Sequence, residues 1–221
     1  MNVSALIPAK GFTHAKQRLS PLLNAEQRAL LAEAMLKDVL CQVLLARGLE
    51  AIFVVTGDAR VAGIASSMGV ELILESEERG ETEAVEFALR EMKQRGRRVV
   101  LVIPADIPLI HASDIEEMLG HPAAKNLVSP FALLVPSHDR MGTNGLLLSP
   151  PDLIPLRFGY DSFSHHLSQV AARGVTPRIL ENERLGLDID EPEDLERLLS
   201  LGAVGETNST LASIGMSLER L

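Results

Sequence analysis

The stretch that most constrains the fold is residues 98–109, which read RVVLVIPADIPL. Residues 99–103 are all apolar and four of the five are β-branched, which predicts a strand buried on both faces, as in the middle of a parallel sheet. Pro104 ends this strand, and Asp106 follows two residues later. Because open α/β sheets bind ligands at the carboxyl ends of their central strands, Asp106 is a candidate site residue. On this stretch alone, a turn-capping role for Asp106 is an equal alternative.

The order of apolar and helical segments predicts the fold class. Residues 3–7, 51–56, 70–74 and 99–103 read as strands, and residues 24–47, 59–68 and 82–95 read as helices. This alternation predicts a parallel, doubly wound sheet with right-handed crossovers. Two further apolar runs, at 131–136 and 145–148, have no helix between them and predict a β-hairpin insertion near the ligand-binding edge. We therefore expect a single-domain, Rossmann-like, three-layer αβα protein with a mostly parallel sheet.

Length and composition narrow the class of protein. The chain has 221 residues, of which 23 % are charged and 46 % hydrophobic, as is ordinary for one large soluble α/β domain. We place this domain at residues 1–203 and expect residues 204–221, rich in Ser, Thr and Gly, to be a loosely held tail. The net charge of −9 argues against nucleic-acid binding, and no apolar run suggests a membrane span. The single cysteine, Cys41, and a start unlike a signal peptide fit a cytoplasmic protein.

A basic loop follows the first predicted strand. Lys10, His14, Lys16 and Arg18 lie close together in it, with no acidic residue among them. In an acidic protein such a loop indicates an anion site, for which a triphosphate is a natural ligand. The loop lacks the Gly-Lys-Ser/Thr of a Walker motif. A solvated run of charge is the alternative interpretation.

Further acidic residues are predicted at strand ends. Asp188 and Asp190 close a short predicted strand, in which residues two apart point to the same face. Asp190 is also predicted to cap the next helix, in a capping box with Glu193. If they meet Asp106 and the basic loop at one edge, the group describes a metal–nucleotide site, since Mg²⁺ binds carboxylate and phosphate oxygens. Asp58 also follows a strand, where it is predicted to cap the next helix. Residues 161–162 predict a helix start just after Gly159, where free amides bind phosphate or carboxylate.

Six motifs, taken in order, resemble those of the CofC/FbiD guanylyltransferase family. They are PAK at 8–10, AKQRL at 15–19, PADIP at 104–108, GTN at 142–144, FGYDSF at 158–163 and LDID at 187–190. The resemblance covers residues 3–200 and implies the fold of the nucleotide-diphospho-sugar transferases. It also implies transfer of GMP from GTP to a small phosphorylated acid, with release of pyrophosphate, in the biosynthesis of coenzyme F-420. We favour phosphoenolpyruvate or 2-phospho-L-lactate as the acceptor, with 3-phospho-D-glycerate as an alternative.

The resemblance also implies roles for the matched residues. Thr143, Gly159 and Ser162 are expected to bind the phosphorylated acid, and Asp106, Asp188 and Asp190 to bind Mg²⁺. We assign nucleotide binding to Lys10, Lys16, Arg18, Asp58 and Gly80, and catalysis to Asp106, Lys10 and Lys16. One segment departs from the family: GETE at 80–83 stands where Gly-Leu-Asn is usual, near the expected guanine, so the base preference is left open.

Two other functions remain as alternatives. A nucleotidyltransferase of the same fold that acts on a sugar phosphate or molybdopterin usually carries a Gly-rich loop after the first strand, which residues 8–11 lack. A non-catalytic nucleotide-binding domain would not need Asp106, Asp188 and Asp190 together. The expected partners are GTP and the phosphorylated acid, and a homodimer is compatible with the sequence. Since a phosphate monoester is already ionised at neutral pH, the reaction needs positioning and charge neutralisation rather than a strong base.

Overall fold

A seven-stranded sheet forms the middle layer of the protein. The computed structural model describes residues 2–77, 79–120, 128–202 and 204–220. The strands are β1 (Val3–Pro8), β2 (Leu49–Thr56), β3 (Glu71–Leu74), β4 (Val99–Val102), β5 (Phe131–Pro136), β6 (Thr143–Ser149) and β7 (Arg178–Ile179). The helices are α1 (Ala25–Leu45), α2 (Ala59–Ser67), α3 (Glu81–Gln94), α4 (Ala112–Gly120), α5 (Ser162–Ala172), α6 (Pro192–Leu201) and α7 (Gly205–Ser213), with 3-10 turns at Phe12–His14, Gln17–Leu19 and Leu218–Arg220. None of the helices described is long and apolar enough to cross a membrane.

The strand order confirms the predicted doubly wound sheet. The order is β3-β2-β1-β4-β6-β5-β7, and β1 pairs in parallel with both β2 and β4. The predicted hairpin is also present, as β5 and β6 pair antiparallel. The hairpin is part of the main sheet, because β6 also pairs antiparallel with β4. This pairing brings the first residue of β6 close to the end of the central strand that precedes Asp106.

Helices cover both faces of the sheet, which is why its central strands are mostly apolar. Along β1, Ala5 and Ile7 belong to one buried cluster and Leu6 to another. Along β4, Leu101 belongs to the first cluster and Val100 to the second. Alternate residues of a strand point to opposite faces, so each strand contributes to both clusters. Helices α1, α2 and α4 cover the first face and α3 and α5 the second, giving the three layers predicted.

The C-terminal segment differs from the loosely held tail that we expected. Helix α7 packs on α1, and Leu211 is fully buried in a third apolar cluster. The carboxylate of Asp38 on α1 accepts the backbone N–H groups of Glu206 and Thr207 at 2.9 and 2.8 Å. Satisfying the free amides at a helix start with a carboxylate stabilises both the helix and its docking. The domain boundary at residue 203 itself remains a prediction.

The segment before α6 is not the short strand that we predicted. Residues 185–190 form turns and irregular backbone. The segment is instead fastened at separate points: the N–H of Ile189 donates to the carbonyl of Asp106 at 3.0 Å, and the N–H of His138 donates to that of Gly186 at 2.7 Å. Single hydrogen bonds to two different loops hold the segment beside the end of β4 without continuing the sheet.

Candidate active site

A cleft of about 610 Å³ opens at the carboxyl ends of β1, β2 and β4. The loop after β1 forms one wall, and the residues that follow β4 form another. The charged residues that line it are Lys10, His14, Lys16, Asp58, Glu75, Glu81, Asp106 and Asp190. The sheet edge predicted from the sequence therefore does bring the basic loop and two of the three predicted acids together.

Lys16 lies between two carboxylates in this cleft. Its Nζ is 2.5 Å from Oδ2 of Asp106 and 2.8 Å from Oδ1 of Asp190, and its side chain is 9 % exposed. Burial by itself would lower the pKa of Lys16, but the two carboxylates outweigh it and raise the pKa above its ordinary value. Lys16 stays charged, so one buried cation bridges the end of β4 and the segment before α6.

Asp190 is free for this contact because α6 begins one residue later than predicted. We expected Asp190 to cap the helix together with Glu193, whereas the helix starts at Pro192 with Glu191 as its N-cap. The Asp194 carboxylate accepts the N–H groups of Asp190 and Glu191 at 3.0 and 2.8 Å. Burial would raise the pKa of Asp190, but the positive charge of Lys16, chiefly, lowers it. Asp190 is therefore a paired, ionised carboxylate.

Asp188 has a different environment from Asp190, although only one residue separates them. Its Oδ1 accepts a hydrogen bond from Nδ2 of Asn144 at 2.9 Å. Burial, and then the negative charge of Asp106, raise the pKa of Asp188 to about 6. The Asn144 hydrogen bond opposes this rise without cancelling it. Asp188 thus lacks the cation that neutralises its two acidic neighbours.

The acids suit a divalent cation in their chemistry. Within the described ranges, no group of three or more His, Cys, Asp or Glu residues is arranged to hold a metal ion. However, Mg²⁺ on a nucleotide usually takes only one or two protein carboxylates and completes its shell with phosphate oxygens and water. Asp106 and Asp190 already bracket a positive charge, the ammonium of Lys16. These two carboxylates fit such a cation, and the metal role of all three acids remains a prediction.

Glu81 is a cleft residue that sequence reasoning passed over in favour of its neighbour Gly80. Gly80 is the N-cap of α3 with a φ of 115°, a conformation that favours glycine, and Glu81 opens the helix and lines the cleft. Burial, and then the charge of Asp106, raise the pKa of Glu81 to about 7. The only sequence feature that pointed to Glu81 was the GETE segment at 80–83, which departs from the family pattern.

The other residues assigned to the nucleotide occupy different positions. Lys10 and Asp58 line the cleft, whereas Arg18 points away and pairs with Glu191 at 3.1 Å. Asp58 caps α2 as predicted, since its Oδ1 accepts the N–H groups of Arg60 and Val61 at 2.8 and 3.0 Å. A nucleotide-binding role for Arg18 stays a prediction, since in the structure its guanidinium forms an ion pair with Glu191.

The residues predicted to bind the phosphorylated acid form a separate, buried cluster. The hydroxyl oxygens of Thr143 and Ser162 lie 3.4 Å apart, and the Ser162 N–H donates to the Gly159 carbonyl at 3.1 Å. Thr143 Oγ1 is also 2.9 Å from Nδ1 of His166, a residue that the sequence suggested only as part of a helix. Ser162 and His166 are four residues apart and so share one face of α5. This spacing could have identified His166 from the sequence. None of this cluster lines the cleft described above.

The sequence matches relatives along nearly its whole length. It is 37 % identical over 204 residues to the phosphoenolpyruvate guanylyltransferase of Rubrobacter xylanophilus, covering 92 % of this chain and 97 % of that one. It is 35 % identical to the 2-phospho-L-lactate guanylyltransferase of Methanothermobacter thermautotrophicus, covering 91 % and 86 %. It is 33 % identical to the 3-phospho-D-glycerate guanylyltransferase of Colwellia psychrerythraea, covering 92 % and 94 %.

Comparison with solved structures supports the fold. A crystal structure assigned as a nucleotide-diphospho-sugar transferase from Desulfovibrio desulfuricans G20 superposes with a TM-score of 0.77 at 17 % identity, covering 96 % of this chain and 95 % of that one. At that identity the likeness concerns the fold, and it agrees with the type predicted from the sequence. The family described as "Guanylyl transferase CofC like" matches residues 3–220. The chain therefore belongs to the CofC-like guanylyltransferase family.

Proposed function

We propose that this protein transfers GMP from GTP to a small phosphorylated carboxylic acid, with phosphoenolpyruvate as the favoured acceptor, and releases pyrophosphate. The observation that carries the proposal is the Lys16 ammonium held between Asp106 and Asp190 in a cleft at the sheet edge. Membership of a guanylyltransferase family and relatives named for three phosphorylated acids support it. The coenzyme F-420 pathway, the cytoplasm and a homodimer remain predictions.

The reaction joins two polyanions, so charge is its main obstacle. An oxygen of the acceptor phosphate attacks the α-phosphorus of GTP, and the bond from that phosphorus to the β-phosphate oxygen breaks to release pyrophosphate. The attacking oxygen is already ionised at neutral pH, so no side chain has to remove a proton from it. Lys10 and Lys16 on the loop after β1 would neutralise the phosphates and align them for in-line displacement.

Asp106, Asp188 and Asp190 would hold Mg²⁺ together with the phosphate oxygens of GTP. When bound, the ion supplies further positive charge to the phosphates and fixes their orientation. The three carboxylates lie on two different segments of the chain. The contact of Ile189 with the Asp106 carbonyl holds these segments together.

The acceptor would bind beside β6 and the start of α5. Thr143 on β6 and Ser162 at the start of α5 supply hydroxyl groups. The predicted role of backbone amides is not available to Ser162, because its N–H already donates to the Gly159 carbonyl. The Asn144 bond to Asp188 joins β6 to the segment that also carries Asp190. The acceptor phosphate would thus reach the α-phosphate of GTP near Asp106 and Asp188.

Pyrophosphate release tests the proposal directly. The protein with Mg²⁺ and GTP is mixed with phosphoenolpyruvate, 2-phospho-L-lactate or 3-phospho-D-glycerate, and ATP and CTP replace GTP in parallel. We expect release with GTP and at least one acid, fastest with phosphoenolpyruvate, and little with a hexose 1-phosphate. Release with a sugar phosphate and none with the acids would favour the alternative nucleotidyltransferase. A preference for another nucleotide would show that the GETE segment has changed the base specificity.

A further inference from the structure

Both ring nitrogens of His166, which lies beside the proposed acceptor site, have a hydrogen-bond partner. His166 is fully buried, and its Nδ1 lies 2.9 Å from the hydroxyl oxygen of Thr143. On the other side of the ring, the backbone N–H of Arg157 donates to Nε2 at 3.2 Å. The Phe158 and His166 rings pack in a T-shaped arrangement, with 5.4 Å between their centroids. The orientation of the ring is therefore set from two sides.

The Arg157 contact determines where the proton of His166 resides. A backbone N–H can only donate, so Nε2 must accept and carries no proton. Burial, chiefly, lowers the pKa of His166 to about 4, so the ring is neutral near neutral pH and its one proton is on Nδ1. Nδ1–H then donates to the Thr143 hydroxyl oxygen. His166 is thus a fixed donor towards Thr143.

This arrangement leaves one hydroxyl proton over. The Ser162 hydroxyl also donates to the Thr143 oxygen, at 3.4 Å, so both lone pairs of that oxygen are used. The Thr143 proton must then point elsewhere. If the 3.4 Å contact ran in the other direction, the Ser162 proton would be the one left over. Either way, the mutual bond takes one of the two hydroxyl protons and His166, as a donor, takes neither, so one hydroxyl proton of the pair is left to donate to a third group.

We propose that His166 is a positioning residue of the acceptor site: it forces the Thr143–Ser162 pair to offer a hydroxyl proton to an anionic oxygen of the phosphorylated acid. This inference rests on the proposed function. It gives a reason for the burial of a histidine beside two hydroxyl groups. It also defines the ligand group chemically, as an acceptor-only oxygen of a phosphate or a carboxylate.

The proton position can be measured without any activity assay. In protein labelled with ¹⁵N histidine, long-range ¹H–¹⁵N correlation spectra distinguish the Nδ1-protonated from the Nε2-protonated ring. His166 is assigned by the signal that disappears in His166→Phe. We expect the Nδ1-protonated form for His166. An Nε2-protonated ring would overturn the proposal, whatever the catalytic activity.

Steady-state kinetics then test the role. His166→Phe keeps a flat ring but removes the donor, whereas His166→Asn places an amide N–H near the position of Nδ1. We expect His166→Phe to raise KM for the acceptor roughly 10–100-fold, as for loss of a hydrogen bond to a charged group, while KM for GTP changes by less than about twofold. His166→Asn should recover most of the loss. His165→Phe on the same helix is the matched control and should leave both constants near those of the wild type.

The outcomes separate this proposal from the proposed function. Equal rises in both KM values, or no rise for the acceptor, would overturn the role of His166. Inhibition by inorganic phosphate and by pyruvate, compared in wild type and His166→Phe, identifies whether a phosphate or a carboxylate meets the hydroxyl group. Loss of neither inhibition would also contradict the proposal. If the wild type turns over none of the acids, the proposed function fails, and the spectrum alone decides the proton arrangement.

Discussion

Asn144 and Asp188 are joined by a single hydrogen bond of 2.9 Å, from the amide Nδ2 to the carboxylate Oδ1. Asn144 follows Thr143 on β6, and Asp188 comes one residue before Ile189, whose N–H donates to the Asp106 carbonyl. The bond therefore links the cluster that we assign to the acceptor with the acids that we assign to the metal and nucleotide. The bond thus joins β6 to the segment before α6, two parts of the chain that are far apart in sequence.

Asp188→Asn should stabilise the folded protein at neutral pH while abolishing turnover. The pKa of Asp188 is raised from 3.8 to about 6 on folding, so its ionised form destabilises the fold above that range. An asparagine carries no charge and still accepts from Asn144. We expect a gain of roughly 1–3 kcal/mol in the free energy of unfolding at about pH 7.5 that fades as the pH falls to about 4. Urea unfolding at both pH values measures it, and a loss of stability at neutral pH would contradict this account of Asp188.

Lys16→Met should make the protein depend more on Mg²⁺ for stability. Without the ammonium, Asp106 and Asp190 repel each other, and we expect a loss of about 1–2 kcal/mol, because both carboxylates are partly exposed. Addition of Mg²⁺ should restore more of the melting temperature in the variant than it adds to the wild type. Lys37→Met, which removes a surface pair with Glu33 on α1, is the control. The same Mg²⁺ response in wild type and both variants would argue against a cation site between Asp106 and Asp190.

Thr143→Ala and Ser162→Ala should weaken use of the phosphorylated acid and leave GTP binding unchanged. Each removes a hydroxyl group of the buried cluster, and we expect a cost of roughly 1–3 kcal/mol in kcat/KM for the acceptor. Titration with GTP and Mg²⁺ in the absence of acceptor measures the other half of the site. Ser164→Ala, at an exposed position of α5, serves as the control. Impaired GTP binding with a normal acceptor dependence would mean that the two halves have been assigned in reverse.

The stability of the wild type should fall in acid through His166. Its pKa drops from 6.5 to about 4 on folding, so between these values the unfolded chain takes up a proton that the folded protein does not. Stability is thus lost as the pH falls from about 6.5 to about 4, by roughly 2–4 kcal/mol for this group. His166→Phe lacks this term, so its stability relative to the wild type should improve over the same range. A difference independent of pH would show that His166 titrates alike in both states.

The fold could be predicted because it depends on local patterns. Alternating apolar strands and amphipathic helices define which residues are buried, and short connections limit the topologies. The edge where Asp106 and the basic loop meet followed from that topology. The predicted strand at 185–190 was wrong. Its alternating apolar residues are buried as expected, but its backbone makes isolated hydrogen bonds to two loops instead of pairing with a neighbouring strand.

The details of the site depend on contacts that no local pattern encodes. Lys16 contacts both acids from the loop after β1, and its own backbone has a φ of 51°, a left-handed conformation that is uncommon for residues other than glycine. Arg18, two residues later, faces Glu191 instead. Glu81 lines the cleft and His166 contacts Thr143 because of how distant segments pack together, which the sequence alone does not show. A one-residue shift in the start of α6 likewise decided that Asp190 pairs with Lys16 rather than capping the helix.

The most direct test is to identify the product by ³¹P NMR. GTP, Mg²⁺ and phosphoenolpyruvate are incubated with the wild type and with Asp106→Asn, whose side chain keeps its shape but loses its charge. The account predicts pyrophosphate together with a new phosphoanhydride in which the GMP phosphorus is coupled to the acceptor phosphorus, and almost no product with a folded Asp106→Asn. Pyrophosphate without the new phosphoanhydride, or an equal yield from Asp106→Asn, would contradict guanylyl transfer at this cleft.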